Sequence, residues 1–398
     1  MLGEVSYSLY LWHWPLIVAL PFVALPFGGV DNAWRIGVLV LSLALAVATK
    51  RWVEDRYRRP SPAARARHAF VLPLAGGAIA VMCALAVQLF VIAPGVQAAE
   101  ARLDALRATG CFGAQAVVNH CEDPFGPAAT VDPAAAATDR TEACPSHTAA
   151  APSQSVATCE YRVADPLGTV ALVGDSHAGA VASAVAAWAA ERRWTLRLYE
   201  VHACPVLGTN RALAFPNRVE ASTTSDPATW DACVHHGDEV ERELLRDRLD
   251  ALVVTNSTRS YLDPENSAAG AITAATVGRS LEAVAEVGTE VVVLRDVPGL
   301  DFGMSAPTCL AINDGHPERC TVARSVAVPN DDPMVAAAAA RGLTVVELTD
   351  LFCGERRCNA VVGGVVAYWD RAHFTATMQE SLAPMLRTRL SLAFGAAS

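Results

Sequence analysis

The sequence predicts an α/β domain built on a parallel sheet covered on both faces, preceded by about three membrane-spanning helices. From Gly168 onward, short apolar runs of strand length alternate with longer helical stretches, the pattern of a parallel sheet with crossover helices. Before Pro94, by contrast, long apolar segments dominate. All but one of the 11 cysteines follow the last of those segments, as expected of a chain whose second part lies in an oxidising compartment.

The first apolar segment, Val5 to Pro26, carries a few hydroxyls and His13, and at about 1.5 Å per residue it is long enough to cross a bilayer. Tyr10, Trp12 and Trp14 suit an interface. The segment has neither the basic amino-terminal region nor the small-residue cleavage site of a signal peptide. The second, Ile36 to Thr49, is uncharged but short, which puts Trp34 and Trp52 at the two interfaces. The third, Ala69 to Pro94, is uncharged throughout. Arg51, Arg56, Arg58, Arg59, Arg65 and Arg67 cluster between the second and third, and the excess of positive charge in cytoplasmic loops fixes the topology. The amino terminus is then cytoplasmic and everything after about Pro94 extracytoplasmic, in a multi-pass plasma-membrane protein.

Sequence neighbours among the ten later cysteines suggest the pairs Cys111 with Cys121, Cys144 with Cys159, Cys204 with Cys233, Cys309 with Cys320 and Cys353 with Cys358, although spacing alone leaves connectivity open. None of the spacings is C-x2-C, so no metal site is expected. The net charge of -10 argues against a nucleic-acid partner, which would require a basic face. Residues 97–165 are rich in Ala, Pro, Thr and Ser and read as a disulfide-stapled, loop-rich extension without identifiable chemistry.

Within the α/β part, strands are predicted at Val170 to Val173, Thr195 to Val201, Ala251 to Thr255, Glu290 to Leu294 and Leu343 to Leu348. Helices are predicted near Ala178 to Arg192, Gly237 to Arg248, Ala271 to Val287, Met334 to Arg341 and Ala376 to Phe394. The run Val170-Ala171-Leu172-Val173-Gly174-Asp175-Ser176-His177 places Ser176 on a strand-to-helix turn, at the carboxyl edge of the sheet and beside helix N–H groups that favour developing negative charge. The plainer reading is that Asp175 or Ser176 caps the helix. A serine nucleophile needs a base, and the base an orienting group. Near the end of the chain, in Tyr368-Trp369-Asp370-Arg371-Ala372-His373, an aspartate and a histidine stand three residues apart, close enough in a turn for the carboxylate to hold its own imidazole. Ser176, Asp370 and His373 are the candidate catalytic residues.

His177 is expected to pack or hydrogen-bond without joining the proton transfer, and His235 and His236 read as a solvated helix start. For the oxyanion, the Ser176 N–H is one donor. Asn256, at the end of the 251–255 strand, supplies either a second donor or an Asx turn.

Gly174-Asp175-Ser176-His177 together with Asp370-Arg371-Ala372-His373 resembles the first and last blocks of the SGNH (GDSL-type) hydrolase family. The resemblance implies a three-layer α/β/α, flavodoxin-like domain over 166–398, with Ser176, Asp370 and His373 as its triad. It also implies Asn256 as the oxyanion asparagine, here in a Val-Thr-Asn-Ser context, and Gly208 as the glycine donor. Leu2-Gly3-Glu4-Val5-Ser6-Tyr7-Ser8-Leu9-Tyr10-Leu11-Trp12-His13-Trp14-Pro15 is similar to the late membrane part of the acyltransferase 3 family, and Trp52-Val53-Glu54-Asp55-Arg56 resembles its cytoplasmic end.

The division implied is a partial acyltransferase 3 membrane domain with two spans over 1–60, an Arg-rich loop and final span over 61–94, the extension over 95–165, and the SGNH domain. Fusions of this kind imply a bacterial envelope O-acyltransferase, with acyl-CoA as an indirect donor and no bound cofactor. Its acceptor would be a cell-surface polysaccharide or peptidoglycan. Because the chain starts near the end of that membrane domain, its donor half is expected to be missing or to be a separate acyltransferase membrane domain. The alternative is an esterase or glycan deacetylase, in which water removes the acyl group.

Overall fold

The computed structural model describes residues 2–24, 32–55, 93–126, 132–141, 156–208, 227–262, 272–300, 303–313 and 316–395, with Cys144 and a few positions between 78 and 89. Most of the third apolar segment and the arginines at 56–67 lie outside the described residues. The chain divides into two compact units, Met1–Ala101 and Arg102–Ser398.

The first unit contains α1 (Leu2–Ala24) and α2 (Asn32–Thr49), the latter prolonged by a π-helical turn over Lys50–Glu54. The two helices pack together, with the buried Ser8 hydroxyl donating to the Glu54 carboxylate and the Trp12 indole donating to Thr49 Oγ1 at 2.9 Å. Among the described residues, Asn32–Glu54 is the one helical stretch long and apolar enough to cross a membrane, where the sequence predicts three spans. Ile36, Leu39 and Val40 of α2 are exposed.

The second unit begins within α3 (Ala93–Thr109). Its six-stranded sheet comprises β1 (Cys159–Tyr161), β2 (Gly168–Gly174), β3 (Trp194–Glu200), β4 (Ala251–Thr255), β5 (Glu290–Leu294) and β6 (Thr344–Val346), in the order β1-β3-β2-β4-β5-β6. Strands β2 to β6 are parallel, in the doubly wound order that puts the first strand between the second and third. The sheet is not wholly parallel, because β1 adds an antiparallel edge with Cys159 opposite Leu198. Only three residues long, β1 carries no periodicity from which a strand could be read.

Both faces of the sheet are covered, which explains the unbroken apolar strands. Val170 and Leu172 of β2 point to a layer containing α4 (Ser176–Glu191) and α8 (Ala376–Ala393). Ala171 and Val173, with the opposite pleat, point to α5 (Pro227–Asp247), α6 (Ala274–Glu286) and α7 (Pro333–Ala339). α5 starts well before the predicted Gly237, so His235 and His236 lie inside a helix and not at its start. Burial lowers the pKa of His236. All five cysteine pairs suggested by sequence neighbourhood form disulfides.

Candidate active site

β2 ends at Gly174, where a Cβ would fall 1.7 Å from the carbonyl oxygen of Thr255 on β4. Only glycine lets the two strands close at this point, and that closure brings the next three residues over the carboxyl edge of the sheet. This edge lies at the topological switch point, where β3 and β4 leave β2 in opposite directions and a crevice opens. Asp175 is the N-cap of α4 and Ser176 its first residue. Ser176 N–H therefore belongs to the first turn, whose donors have no intrahelical partner.

The loop before α8 supplies the rest of the triad. His373 Nε2 lies 2.8 Å from Ser176 Oγ, and His373 Nδ1 lies 2.7 Å from Asp370 Oδ2. Asp370 Oδ1 also accepts the backbone N–H groups of Ala372 at 2.9 Å and His373 at 2.7 Å, so the turn itself orients the carboxylate. Partial burial would raise the Asp370 pKa, but the His373 bond and these two N–H groups outweigh it and hold the carboxyl below its usual range. The donor N–H to Asp370 leaves Nε2 as the atom able to take the serine proton. The structure thus joins all three residues singled out as catalytic candidates in one hydrogen-bonded chain.

Neither of the other two oxyanion candidates lines the cleft. Asn256 is buried with Oδ1 accepting the Asp175 N–H at 3.1 Å, and its Nδ2 faces Met334 Sδ at 3.7 Å. Its amide is spent on holding the turn in place. Gly208 has φ +72°, and a Cβ there would meet the backbone of Val277 on α6, so its glycine serves a tight approach to that helix. At the end of β3 the cleft wall is formed instead by Glu200 and His202.

Below the serine lies a buried polar network that the local motifs do not reveal. Asp175 accepts from His177 N–H at 2.9 Å, and from Ser257 N–H and the Tyr261 hydroxyl, each at 2.8 Å. Burial raises its pKa against the opposing pull of His177 and these donors. The His177 ring is buried, with Nδ1 2.5 Å from Asp296 Oδ1, while Asp296 Oδ2 accepts the Thr258 N–H at 2.8 Å. Burial alone would lower the His177 pKa, but Asp296, with help from Asp175 and Asp370, brings it up to about 9. His177 also meets His373 edge to face, with centroids 4.9 Å apart. It is therefore a hydrogen-bonded neighbour of the triad, contacting the base without lying on the serine-to-aspartate chain.

Ser176 and His373 open onto a cleft of about 440 Å³ lined also by Arg140, Glu200, Trp369 and Gln379. Arg140, Thr141 and Cys144 on this wall come from the extension, which therefore contributes to the site. Among the described residues, no group of three or more His, Cys, Asp or Glu side chains is placed to hold a metal ion.

No curated protein matches the chain. Among solved structures, the periplasmic domain of the lipopolysaccharide acetyltransferase of Salmonella ser. Paratyphi A aligns at 12% identity over 56% of this chain and 83% of that one, with a TM-score of 0.39. That likeness is too distant to bear on this chain's chemistry. The family model for the SGNH domain (fused to AT3 domains) matches residues 143–388, a stretch that holds the whole hydrogen-bonded triad and more than half of the chain. The chain belongs to the SGNH domain family, in the form that occurs fused to AT3 domains.

Proposed function

We propose that this chain is a membrane-anchored, extracytoplasmic O-acyltransferase that places an acyl group, most simply acetyl, on a hydroxyl of a cell-surface glycan. The observation that carries the reading is the continuous chain from Ser176 Oγ through the His373 imidazole to Asp370 at the mouth of an open cleft. As Ser176 Oγ attacks the acyl carbonyl, its proton passes to His373 Nε2, and Asp370 stays ionised to stabilise the imidazolium. The Ser176 N–H faces the developing oxyanion at the positive end of α4. Collapse of the intermediate expels the leaving group with the proton held by His373. In the second half, His373 takes the proton of a sugar hydroxyl, whose oxygen attacks the acyl-Ser176 carbonyl, and the proton returns to Ser176 Oγ.

The five disulfides support placement in an oxidising compartment, and the exposed apolar face of α2 supports anchoring in a bilayer. Family membership supports an acyltransferase 3 membrane domain as the source of the acyl group.

The test is to incubate the full chain, in detergent, with 4-nitrophenyl acetate in the presence and absence of oligosaccharides. Transfer predicts acetylated sugar that is absent with Ser176→Ala. Release of acetate alone in every condition would assign an esterase, and no release beyond that of Ser176→Ala would remove both readings.

A further inference from the structure

Arg140 is an exposed cation on the cleft wall that forms no ion pair with any carboxylate among the described residues. Its guanidinium carbon lies 3.9 Å from the centroid of the Trp369 ring, and Trp369 stacks on His373 with centroids 5.0 Å apart and planes 16° from parallel. Stacking occupies the flat face of a guanidinium and leaves its edge N–H donors available, in a fork that matches a carboxylate or phosphate. The segment is fixed from behind. The Asp139 carbonyl accepts the Ala376 N–H at 3.1 Å and its carboxylate accepts the Thr377 N–H at 3.1 Å, so the residue before Arg140 caps the helix that follows His373.

Arg140, Trp369 and His373 therefore form one stack running from the rim of the cleft to the nitrogen that must deprotonate the incoming hydroxyl. The cleft is also lined by Glu200, whose side chain is only 6% exposed and whose carboxylate lies 3.3 Å from the exposed His202 ring. A ligand in the cleft thus meets both a preorganised cation and an acceptor of hydroxyl hydrogen bonds. In a chain of net charge -10, an anionic ligand needs such a local cation to dock.

We infer that Arg140 anchors an anionic group, carboxylate or phosphate, on the acceptor glycan and so delivers a neighbouring sugar hydroxyl to His373. This rests on the acyl-transfer reading, since it assigns the acceptor for that step. The anion takes no part in bond making: the acceptor oxygen bonds to the acyl carbon, the bond to Ser176 Oγ breaks, and the hydroxyl proton passes through His373 to Ser176 Oγ.

The test separates binding from chemistry. The full chain carrying Ser176→Ala, in detergent, is titrated by ligand-observed NMR with three oligosaccharides matched in length: neutral, hexuronate-bearing and phosphate-bearing. The inference predicts that one of the two anionic ligands binds about tenfold more tightly than the neutral one, the size expected of a charge-assisted hydrogen bond at an open site. Which one binds identifies the anion. Adding Arg140→Gln removes the preference, and Arg140→Lys, which keeps the charge without the fork, restores part of it. Equal binding of all three ligands, absence of binding, or an equal loss for all three on Arg140→Gln would overturn it. In the otherwise wild-type chain, Arg140→Gln should raise the KM for the anionic acceptor about tenfold, more than it changes kcat. If the wild type releases acetate but acetylates no sugar, the transfer reading fails, while the titration still decides whether Arg140 reads an anion.

Discussion

Replacing Asp296 with asparagine tests whether the buried network under the serine is held by charge. The change keeps the shape and an oxygen for the Thr258 N–H, but it removes the negative charge beside His177 and turns an amide NH2 toward the Val297 N–H that Oδ1 accepts at 2.8 Å. His177 is buried, and in the folded protein its pKa stands at about 9 against 6.5 when unperturbed. That rise corresponds to about 3 kcal/mol of preference for the protonated ring in the folded state. Because the folded-state pKa is the higher one, the contribution is complete below about pH 6.5 and fades as pH rises through about 9. Denaturation of the full chain in detergent, followed by tryptophan emission, should find Asp296→Asn about 3 kcal/mol less stable than wild type near pH 6. Near pH 9 the His177 part of that difference should shrink to less than about 1 kcal/mol, leaving the pH-independent cost of the Val297 N–H. An equal loss at both pH values would mean that packing or hydrogen-bond geometry matters here and the ion pair does not.

Further outcomes follow from the same geometry. Asp370→Asn should leave the fold intact but cut acyl release from an activated ester by about 10⁴-fold, the loss seen when a triad histidine is left in the wrong tautomer; stopped-flow release of nitrophenol measures it. Gly174→Ala should prevent formation of the active turn, because the new Cβ meets the Thr255 carbonyl on a neighbouring strand, and the yield of folded protein with near-ultraviolet circular dichroism reports it. Replacing both Cys204 and Cys233 with serine opens a closure of 29 residues and should cost about 3.5 kcal/mol in chemical denaturation.

How legible the site was depends on how locally each group is specified. Ser176 follows its own strand and glycine, and Asp370 and His373 share one turn, so short stretches already carried their chemistry. The disulfides close between sequence neighbours and were readable for the same reason. Asp296 comes from the loop after β5 and Tyr261 from the short helix Thr258–Leu262 after β4, and they reach His177 and Asp175 only because the strand order sets β4 and β5 on one side of β2. No spacing along the chain encodes that meeting. Asn256 stood at the right strand end for an oxyanion donor, but strand position does not say which way an amide points, and the free N–H of Asp175 claimed it. Gly208 as a donor follows only from the family resemblance, whereas the residue that β3 delivers to the cleft is Glu200, its last. Arg140 lay in a stretch without periodicity, and its place beside Trp369 depends on Asp139 capping a helix more than 200 residues further along the chain.

The central claim is that Ser176 itself carries the acyl group. The most direct measurement is peptide mass spectrometry of the full chain quenched in acid during turnover of 4-nitrophenyl acetate. The account predicts an acetyl group on the peptide holding Ser176, accumulating when His373 is intact and absent with His373→Ala. Turnover with Ser176 unmodified throughout, or with the acetyl group on another residue, would contradict it.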